Sequence, residues 1–225
     1  MSRYVFTDIH GNYNLFSQIK NFLKEEDECF VLGDVIDRGD DGYQILKEIK
    51  EDLRFTLLKG NHEDMFARAA YDYFHNRENL DIYWNNNLNL WLSNGGNSTF
   101  RNWKRDNKNI EIIHWLNHLP VYCQYANYYL CHSGYYIDPN LSMDADDLHN
   151  VLWDRNWMHC DMSHIPADTI IVHGHTPTKS RTPQITTYTS LNNIKTINLD
   201  CGTAMTQKIY LYNLDTEEII LFENI

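Results

Sequence analysis

The chain contains the stretch Cys29-Phe30-Val31-Leu32-Gly33-Asp34-Val35-Ile36-Asp37-Arg38-Gly39. Its first four residues predict a buried strand that ends at Gly33, and two carboxylates and an arginine follow at once. An ordinary surface loop is the alternative interpretation of this stretch alone, because Asp, Arg and Gly are common in turns. We favour a reactive site in which Asp34 bridges two metal ions. Asp37 and Arg38 then lie on the following turn, where one can orient an acid and the other can hold a phosphate.

Four further apolar runs are likewise followed by a glycine beside Asp, Asn or His, and we call each such segment after a run an opening. The openings are Asp8-Ile9-His10-Gly11, Gly60-Asn61-His62-Glu63, His132-Ser133-Gly134 and His173-Gly174-His175. In α/β folds, ligands bind where the carboxyl ends of strands meet, because the chain leaves the core there. We therefore expect one rim to carry Asp8, His10, Asp34, Asn61, His132 and His175. A single histidine of this kind is more often a surface or hydrogen-bonded core residue, but agreement among five strand ends is hard to reach by accident.

The expected ligands suit two metal ions better than one. Two Asp, one Asn and three His are too many for one tetrahedral ion and include no thiolate, which argues against a structural zinc site. Divided between two ions about 3.5–4 Å apart that share one carboxylate, the set matches a two-metal hydrolytic centre. Asp34 is the best candidate for the shared ligand, since it lies in the central strand of the set and has no adjacent histidine. Asp8 and His10 share a face on an extended backbone, which suits one ion. Such mixed ligands accept manganese, iron or zinc, and we expect manganese.

Length and composition predict a single globular domain over residues 1–225, because a chain of this length can bury one sizeable core. The net charge of -12 opposes a phosphate backbone, so we expect no nucleic-acid partner. No apolar run approaches the roughly 20 residues that cross a bilayer, so we expect no membrane partner. A strand from about Arg3 leaves no room for a signal peptide, and five cysteines, an odd number, suit buried reduced thiols. We therefore expect a cytoplasmic protein.

Between the strands, apolar residues at helical spacing predict helices near residues 15–23, 43–50, 65–70 and 110–119. Residues 76–109 give a weaker pattern, apart from a helix that stops at Asn94-Gly95-Gly96. Residues 185–222 predict four or five strands and no helix. We interpret residues 159–164 as a flexible flap over the cleft that holds the predicted site. Strands and helices alternate at the start of the chain, and β-structure fills its end. This order predicts an α/β fold that is arranged as an α+β sandwich, with two sheets flanked by helices.

In their order and spacing, the five openings resemble the successive signatures of the phosphoprotein phosphatase family of calcineurin-like metallophosphoesterases. The resemblance extends from residue 4 to about residue 203, and its Asp-Arg-Gly and Asn-His-Glu signatures are the most specific. Trp91 to Gly96, Leu152-Trp153-Asp154-Arg155 and Asp200-Cys201-Gly202 further resemble the bacterial and bacteriophage lambda type of Ser/Thr protein phosphatase. Lys59 and Ser133 are mild departures, since Arg and Ala are common at those positions of the family.

The resemblance implies a role for each site residue. The first ion would be held by Asp8, His10 and Asp34, and the second by Asp34, Asn61, His132 and His175. A hydroxide that bridges the two ions would attack the phosphorus in line, with no covalent phosphoenzyme. Arg38 and Arg155 would hold the remaining phosphate oxygens. We expect His62 to protonate the leaving group, and we expect Asp37 to orient the His62 ring. The alternative is that His62 only makes hydrogen bonds and transfers no proton.

The predicted function is that of a metal-dependent phosphomonoesterase acting on phosphorylated proteins, chiefly at Ser and Thr, with phosphotyrosine activity left open. The nearest alternative is a hydrolase of dinucleoside tetraphosphates or of another small phosphate ester, because the same metal core serves those family members. A catalytically inactive binding module is a third interpretation, which the competent residue at every ligand position disfavours.

Overall fold

The computed structural model of the protein describes residues 1–75, 86–135, 148, 151–157, 165–188 and 194–224. The flap expected at residues 159–164 lies outside these ranges. In the N-terminal part, strands and helices alternate: β1 (Arg3–Phe6), α1 (Tyr13–Phe22), β2 (Glu28–Val31), α2 (Gly42–Glu51), β3 (Phe55–Leu57) and α3 (Asn61–His75). The side chain of Asn12 caps α1 by accepting a hydrogen bond from the backbone N–H of Leu15 at 3.2 Å. The predicted βαβ start is therefore confirmed.

Three helices follow, α4 (Asn86–Ser93), α5 (Asn97–Arg105) and α6 (Ile110–Asn117). Gly95 adopts a φ of +101°, which ends α4 at the predicted glycine stop. The described residues further along the chain include β4 (Tyr122–Tyr125), β5 (Tyr128–Cys131), β6 (Ile170–His173), β7 (Gln184–Tyr188), β8 (Ile194–Asn198), α7 (Thr203–Thr206), β9 (Lys208–Asn213) and β10 (Ile219–Glu223). None of the helices in the described ranges is long and apolar enough to cross a membrane.

Within the described residues, the strands form two five-stranded mixed sheets, in the orders β10-β9-β1-β2-β3 and β4-β5-β6-β8-β7. Strands β1, β2 and β3 run parallel in the first sheet, and β5, β6 and β8 run parallel in the second. Side chains alternate between faces: Val5 and Leu130 lie between the sheets, whereas Phe6 packs against the helices. This arrangement confirms the predicted sandwich of two mixed sheets flanked by helices.

One expectation for the C-terminal part is wrong. The described part of residues 185–222 contains four strands, as predicted, but also the single-turn helix α7. Backbone reversals flank it, because Gly202 has a φ of +70° and Gln207 a φ of +56°. The Asp200 carboxylate supports the first reversal by accepting a hydrogen bond from the Gly202 N–H at 2.8 Å. A helix of four residues is too short to carry an apolar repeat, so periodicity does not reveal it.

Leu130 tests the packing between the two sheets, because its side chain is fully buried there. We expect Leu130→Ala to lower the free energy of unfolding by about 2–5 kcal/mol, since it leaves a cavity that the sheets close only in part. Urea unfolding followed by circular dichroism measures this change. Leu53→Ala is the matched control, because Leu53 is 98% exposed and its loss should change stability little. Equal stabilities of the two variants would contradict this packing.

Candidate active site

The carboxyl ends of parallel strands from both sheets meet at one rim. Backbone hydrogen bonds continue past the strands, from Asp8 N–H to the Gly33 carbonyl at 3.2 Å and from Gly174 N–H to the His132 carbonyl at 2.8 Å. The structure brings together all six of the expected ligands, none of them more than 5% exposed: Asp8, His10, Asp34, Asn61, His132 and His175. Five strands from two sheets thus deliver polar side chains, from the loops at their carboxyl ends, into one buried space.

The backbone at this rim is not extended. Asp8, His10, Asp34 and His175 have φ values of 54°, 45°, 55° and 68°. The expectation that Asp8 and His10 share a face of an extended strand is therefore wrong. Each residue lies in the left-handed region, where Asp and His are enriched among residues other than glycine. Tight turns bring the two side chains together instead, with Asp8 Oδ1 3.8 Å from His10 Nε2.

Asp34 lies between two groups of potential metal ligands. Its Oδ1 is 3.4 Å from His132 Nε2, and its Oδ2 is 3.7 Å from His10 Nε2 and 3.8 Å from His62 Nε2. Asp34, His132 and His175 form one group of ligand atoms within 4.8 Å of one another, and His10, Asp34 and His62 form another. Asp34 belongs to both groups. His62, which we expect to act as an acid, thus approaches the same side of Asp34 as His10.

Asn61 belongs to the side of His132 and His175. Its Oδ1 lies 2.9 Å from His132 Nε2 and 3.0 Å from His175 Nδ1. Asn61 and His62 are consecutive residues at the start of α3, yet they reach opposite sides of Asp34. The His62 N–H also donates a hydrogen bond to Asp34 Oδ1 at 3.1 Å, which ties the helix start to the central carboxylate.

In each of the three histidines expected to bind metal, the ring nitrogen that points away from the buried space lies next to a backbone carbonyl oxygen. The carbonyl oxygens of Ile36, Leu32 and Trp153 lie 3.0, 2.7 and 3.3 Å from His10 Nδ1, His132 Nδ1 and His175 Nε2, respectively. A carbonyl only accepts hydrogen bonds, so each of these nitrogens carries the hydrogen. The other nitrogen of each ring faces the buried space, where His10 Nε2 has no partner and His132 Nε2 and His175 Nδ1 face Asn61 Oδ1. Without a hydrogen, these nitrogens can bind a metal ion, as in metal-binding histidines.

The electrostatics of the buried space fit divalent cations. Burial raises the pKa of Asp8 and Asp34 well above the ordinary value, and the charge of Asp200 adds to the rise at Asp8 and that of Asp8 to the rise at Asp34. Burial lowers the pKa of His10 well below the ordinary value, so its ring stays neutral. Within the described part of the chain, His10 Nε2 is buried without a hydrogen-bond partner. Metal cations would offset the crowded carboxylates and accept this unused lone pair.

Beside this space, His62 is held by a carboxylate. Its Nδ1 lies 2.7 Å from Asp37 Oδ2, and Arg38 Nη2 lies 3.1 Å from its Nε2. His62 and Asp37 are fully buried, whereas Arg38 is exposed. Arg155 is exposed as well, and burial together with its charge lowers the pKa of His175 to about 3. The four residues expected to act in catalysis thus all lie at or near the ligand set.

Glu63 has a part in the site that the sequence analysis left unassigned. Its buried carboxylate accepts backbone hydrogen bonds from Asp34 at 2.8 Å, Val35 at 2.9 Å and Gly60 at 3.0 Å. It therefore joins the loops that follow β2 and β3. The Asn-His-Glu signature contained this signal, because a carboxylate at the first turn of a helix commonly binds backbone N–H groups.

Asp200 entered the sequence prediction only through the resemblance of Asp200-Cys201-Gly202, without a role in the site. It lies just beyond the end of β8, which is the sixth parallel strand with a polar side chain at its carboxyl end near this rim. The Asp200 side chain is buried, which raises its pKa to about 6. The signal that could have identified it is an Asp and a Gly close behind a strand, in Asp200-Cys201-Gly202.

Close backbone approach requires glycine at this rim. A Cβ atom at Gly174 would contact Asp8 Oδ2 and Thr7 Oγ1, and one at Gly60 would contact Asp34 Oδ1. Asp8 Oδ2 also accepts hydrogen bonds from Thr7 Oγ1 at 2.5 Å and from the His175 N–H at 3.0 Å. Glycine thus lets the loops enclose the two central carboxylates.

Known proteins resemble this chain in sequence or in fold. Serine/threonine-protein phosphatase 1 of Salmonella typhimurium is 28% identical over 188 residues, which cover 79% of this chain and 80% of that protein. The symmetrical bis(5'-nucleosyl)-tetraphosphatase of Vibrio vulnificus is 24% identical over 186 residues, which cover 76% of this chain but only 61% of that protein. A solved metallophosphoesterase structure from Sphaerobacter thermophilus has a TM-score of 0.58 at 13% identity, covering 100% of this chain and 89% of that one, and supports the fold alone.

The match to a family covers nearly the whole chain and includes every opening from which the resemblance was inferred. Residues 1–201 match the calcineurin-like phosphoesterase family. With the two mixed sheets and the buried ligand groups in place, the chain belongs to the calcineurin-like phosphoesterases, a family of metal-dependent hydrolases.

Proposed function

We propose that this phosphoesterase removes phosphate from phosphorylated proteins, chiefly from Ser and Thr side chains. The observation that carries the proposal is the His62–Asp37 pair, because Asp37 accepts from His62 Nδ1 and leaves Nε2, at the edge of the ligand set, as the nitrogen that can pass a proton to the leaving group. Hydrolysis of an alkyl phosphate needs such a donor, since the departing alkoxide is a strong base.

Two divalent ions would be held by the ligands grouped around Asp34. We assign the first ion to Asp8, His10 and Asp34, and the second to Asp34, Asn61, His132 and His175. When bound, such a pair lowers the pKa of a water ligand and neutralises charge on the phosphate oxygens. Manganese remains our choice of metal, and iron and zinc suit the same donors.

The protein's own side chains perform the remaining tasks. Arg38 and Arg155 are exposed at the site and can each donate two parallel hydrogen bonds to the phosphate oxygens. His62 Nε2 faces the centre, while its Nδ1 is held by Asp37. Arg38 donates to His62 Nε2 in this structure, so Nε2 becomes free to carry a proton from solvent when Arg38 turns to the phosphate. That proton can then pass to the oxygen of the leaving group, which leaves His62 neutral as at the start.

A protein substrate fits better than a dinucleotide for two reasons. Expulsion of a nucleotide from a dinucleoside tetraphosphate yields a stabilised phosphate anion, for which an oriented proton donor matters less than for an alkoxide. A cleft of about 310 Å³, lined among others by His10, Arg38 and Gln207, also adjoins the site and can take residues that flank a phosphorylated side chain. Dinucleoside tetraphosphate hydrolysis is the second candidate, because the relative from Vibrio vulnificus carries that activity in its name.

The substrate assignment is tested by phosphate release from the manganese-loaded protein. At equal concentration, we expect a phosphothreonine peptide to be hydrolysed faster than diadenosine tetraphosphate, assayed by its nucleotide product. A phosphotyrosine peptide shows whether aryl phosphates are also accepted. A preference for the dinucleotide would replace the substrate assignment and leave the metal assignment intact.

The role of His62 predicts a specific kinetic defect. We expect His62→Asn to retain both metals and to lower turnover of a phosphothreonine peptide by roughly 10²–10⁴, because the leaving group no longer receives a proton. Elemental analysis and steady-state kinetics measure the two effects. His114→Asn makes the same chemical change at an exposed residue and should alter neither. Metal loss in His62→Asn would show that His62 is a ligand instead.

The proposed role of Asp34 as a shared ligand predicts a loss of metal, whereas the His62 variant should keep its metal. We expect Asp34→Asn to lower the metal content from about two ions per chain to one or fewer, because both ions share this carboxylate. Elemental analysis of the purified variants measures the content. Asp40→Asn is the control, since that side chain is 88% exposed. Full metal content in Asp34→Asn would refute the shared ligand.

A further inference from the structure

The Asp37 carboxylate is held by three side chains. Its Oδ2 accepts hydrogen bonds from His62 Nδ1 and Trp91 Nε1, both at 2.7 Å, and its Oδ1 accepts one from Thr99 Oγ1 at 2.6 Å. Thr99 Oγ1 in turn accepts a hydrogen bond from the Asp37 N–H at 3.2 Å. Both oxygens and the backbone of Asp37 are therefore fixed, and the carboxylate cannot rotate without breaking a buried hydrogen bond.

Helices α4 and α5 supply this support. Trp91 and Thr99 are almost completely buried. The Gly95 carbonyl, between the two helices, accepts a hydrogen bond from the Arg38 N–H at 3.1 Å. The helix pair thus contacts both residues of the Asp37-Arg38 turn, although neither helix carries an expected ligand.

The position of the Trp91 N–H has a consequence for His62. Trp91 and His62 donate to the same oxygen of Asp37, so the indole fixes the atom against which the imidazole is oriented. With that oxygen fixed, His62 Nε2 faces Asp34 Oδ2 at 3.8 Å. Without the indole N–H, the carboxylate can turn and the His62 ring can follow it away from the leaving group.

We propose that Trp91, with Thr99, is a positioning residue that aligns His62 for proton transfer through Asp37. The inference rests on the proposed role of His62 as proton donor and adds the means by which its direction is set. A purely structural role for Trp91 is the alternative, because its ring stacks on Phe66 with centroids 4.7 Å apart.

Trp103 provides a matched control for that alternative. It is also fully buried and packs edge-on against Phe66, with ring centroids 5.6 Å apart. Its Nε1 donates a hydrogen bond to the Asn109 carbonyl at 3.1 Å, away from the site. Trp91→Phe and Trp103→Phe thus remove the same indole from the same aromatic cluster, but only Trp91→Phe removes a donor to Asp37.

The quantity that tests the proposal is the dependence of kcat/KM on the leaving group of the substrate. Phenolate leaves poorly without a proton, whereas 4-nitrophenolate leaves readily, so misalignment of a proton donor slows phenyl phosphate more than 4-nitrophenyl phosphate. We compare kcat/KM for the two substrates with the manganese-loaded wild type, Trp91→Phe, Trp103→Phe and His62→Asn. We expect Trp91→Phe to raise the ratio of 4-nitrophenyl to phenyl phosphate activity on the order of 10-fold, a part of what a general acid contributes. Trp103→Phe should leave the ratio unchanged, and His62→Asn should raise it further.

Thr99→Val serves as a second test, because it removes the other donor with little change in volume and should raise the ratio in the same direction. It decides the question if Trp91→Phe does not fold. An unchanged ratio in Trp91→Phe and Thr99→Val, with a raised ratio in His62→Asn, would overturn the positioning role alone. Equal increases in Trp91→Phe and Trp103→Phe would show a packing effect and overturn it too. An unchanged ratio in His62→Asn would remove the proposed proton donor, and the inference with it.

Discussion

The burial of several carboxylates in one small space is the constraint on which the rest of the structure depends. Asp8, Asp34, Glu63 and Asp200 are all nearly inaccessible to solvent, and burial raises the pKa of each. Buried anions need cations or convergent hydrogen-bond donors. Glu63 has three backbone donors, whereas Asp8 Oδ1 and Asp34 Oδ2 face the neutral imidazole ring of His10. The two groups of ligands around Asp34 therefore form a cavity for positive charge.

The same constraint accounts for the backbone at the rim. Left-handed φ values occur at six of the ten residues expected to form the site: Asp8, His10, Asp34, Asp37, Arg38 and His175. Each such residue costs of order 1 kcal/mol or more relative to an ordinary conformation. Hydrogen bonds between loops of different strands, such as His10 N–H to the Asp34 carbonyl at 3.1 Å, hold these turns in place. Stability provided by the two sheets thus maintains strained backbone where function requires it.

Local sequence predicted the strand ends, the two-sheet fold and the residues that gather around Asp34. The reason is physical: an apolar strand followed by glycine and a ligand-forming side chain is a local pattern, and parallel strands bring such ends together. Contacts between distant segments were not predictable in this way. Trp91 and Thr99 reach Asp37 across 54 and 62 residues, and nothing near them in sequence indicates a partner. The left-handed turns at Asp8 and His10 also escaped notice, because neither residue is glycine, and α7 is too short for a repeat.

The central claim is that one buried carboxylate, Asp34, joins two metal ions. Electron paramagnetic resonance of the manganese-loaded wild-type protein tests it most directly, because two Mn²⁺ ions bridged by a shared ligand are magnetically coupled. The account predicts the spectrum of a coupled pair once two equivalents of manganese are bound. A spectrum of isolated Mn²⁺ ions at that loading, or saturation at a single equivalent, would contradict it.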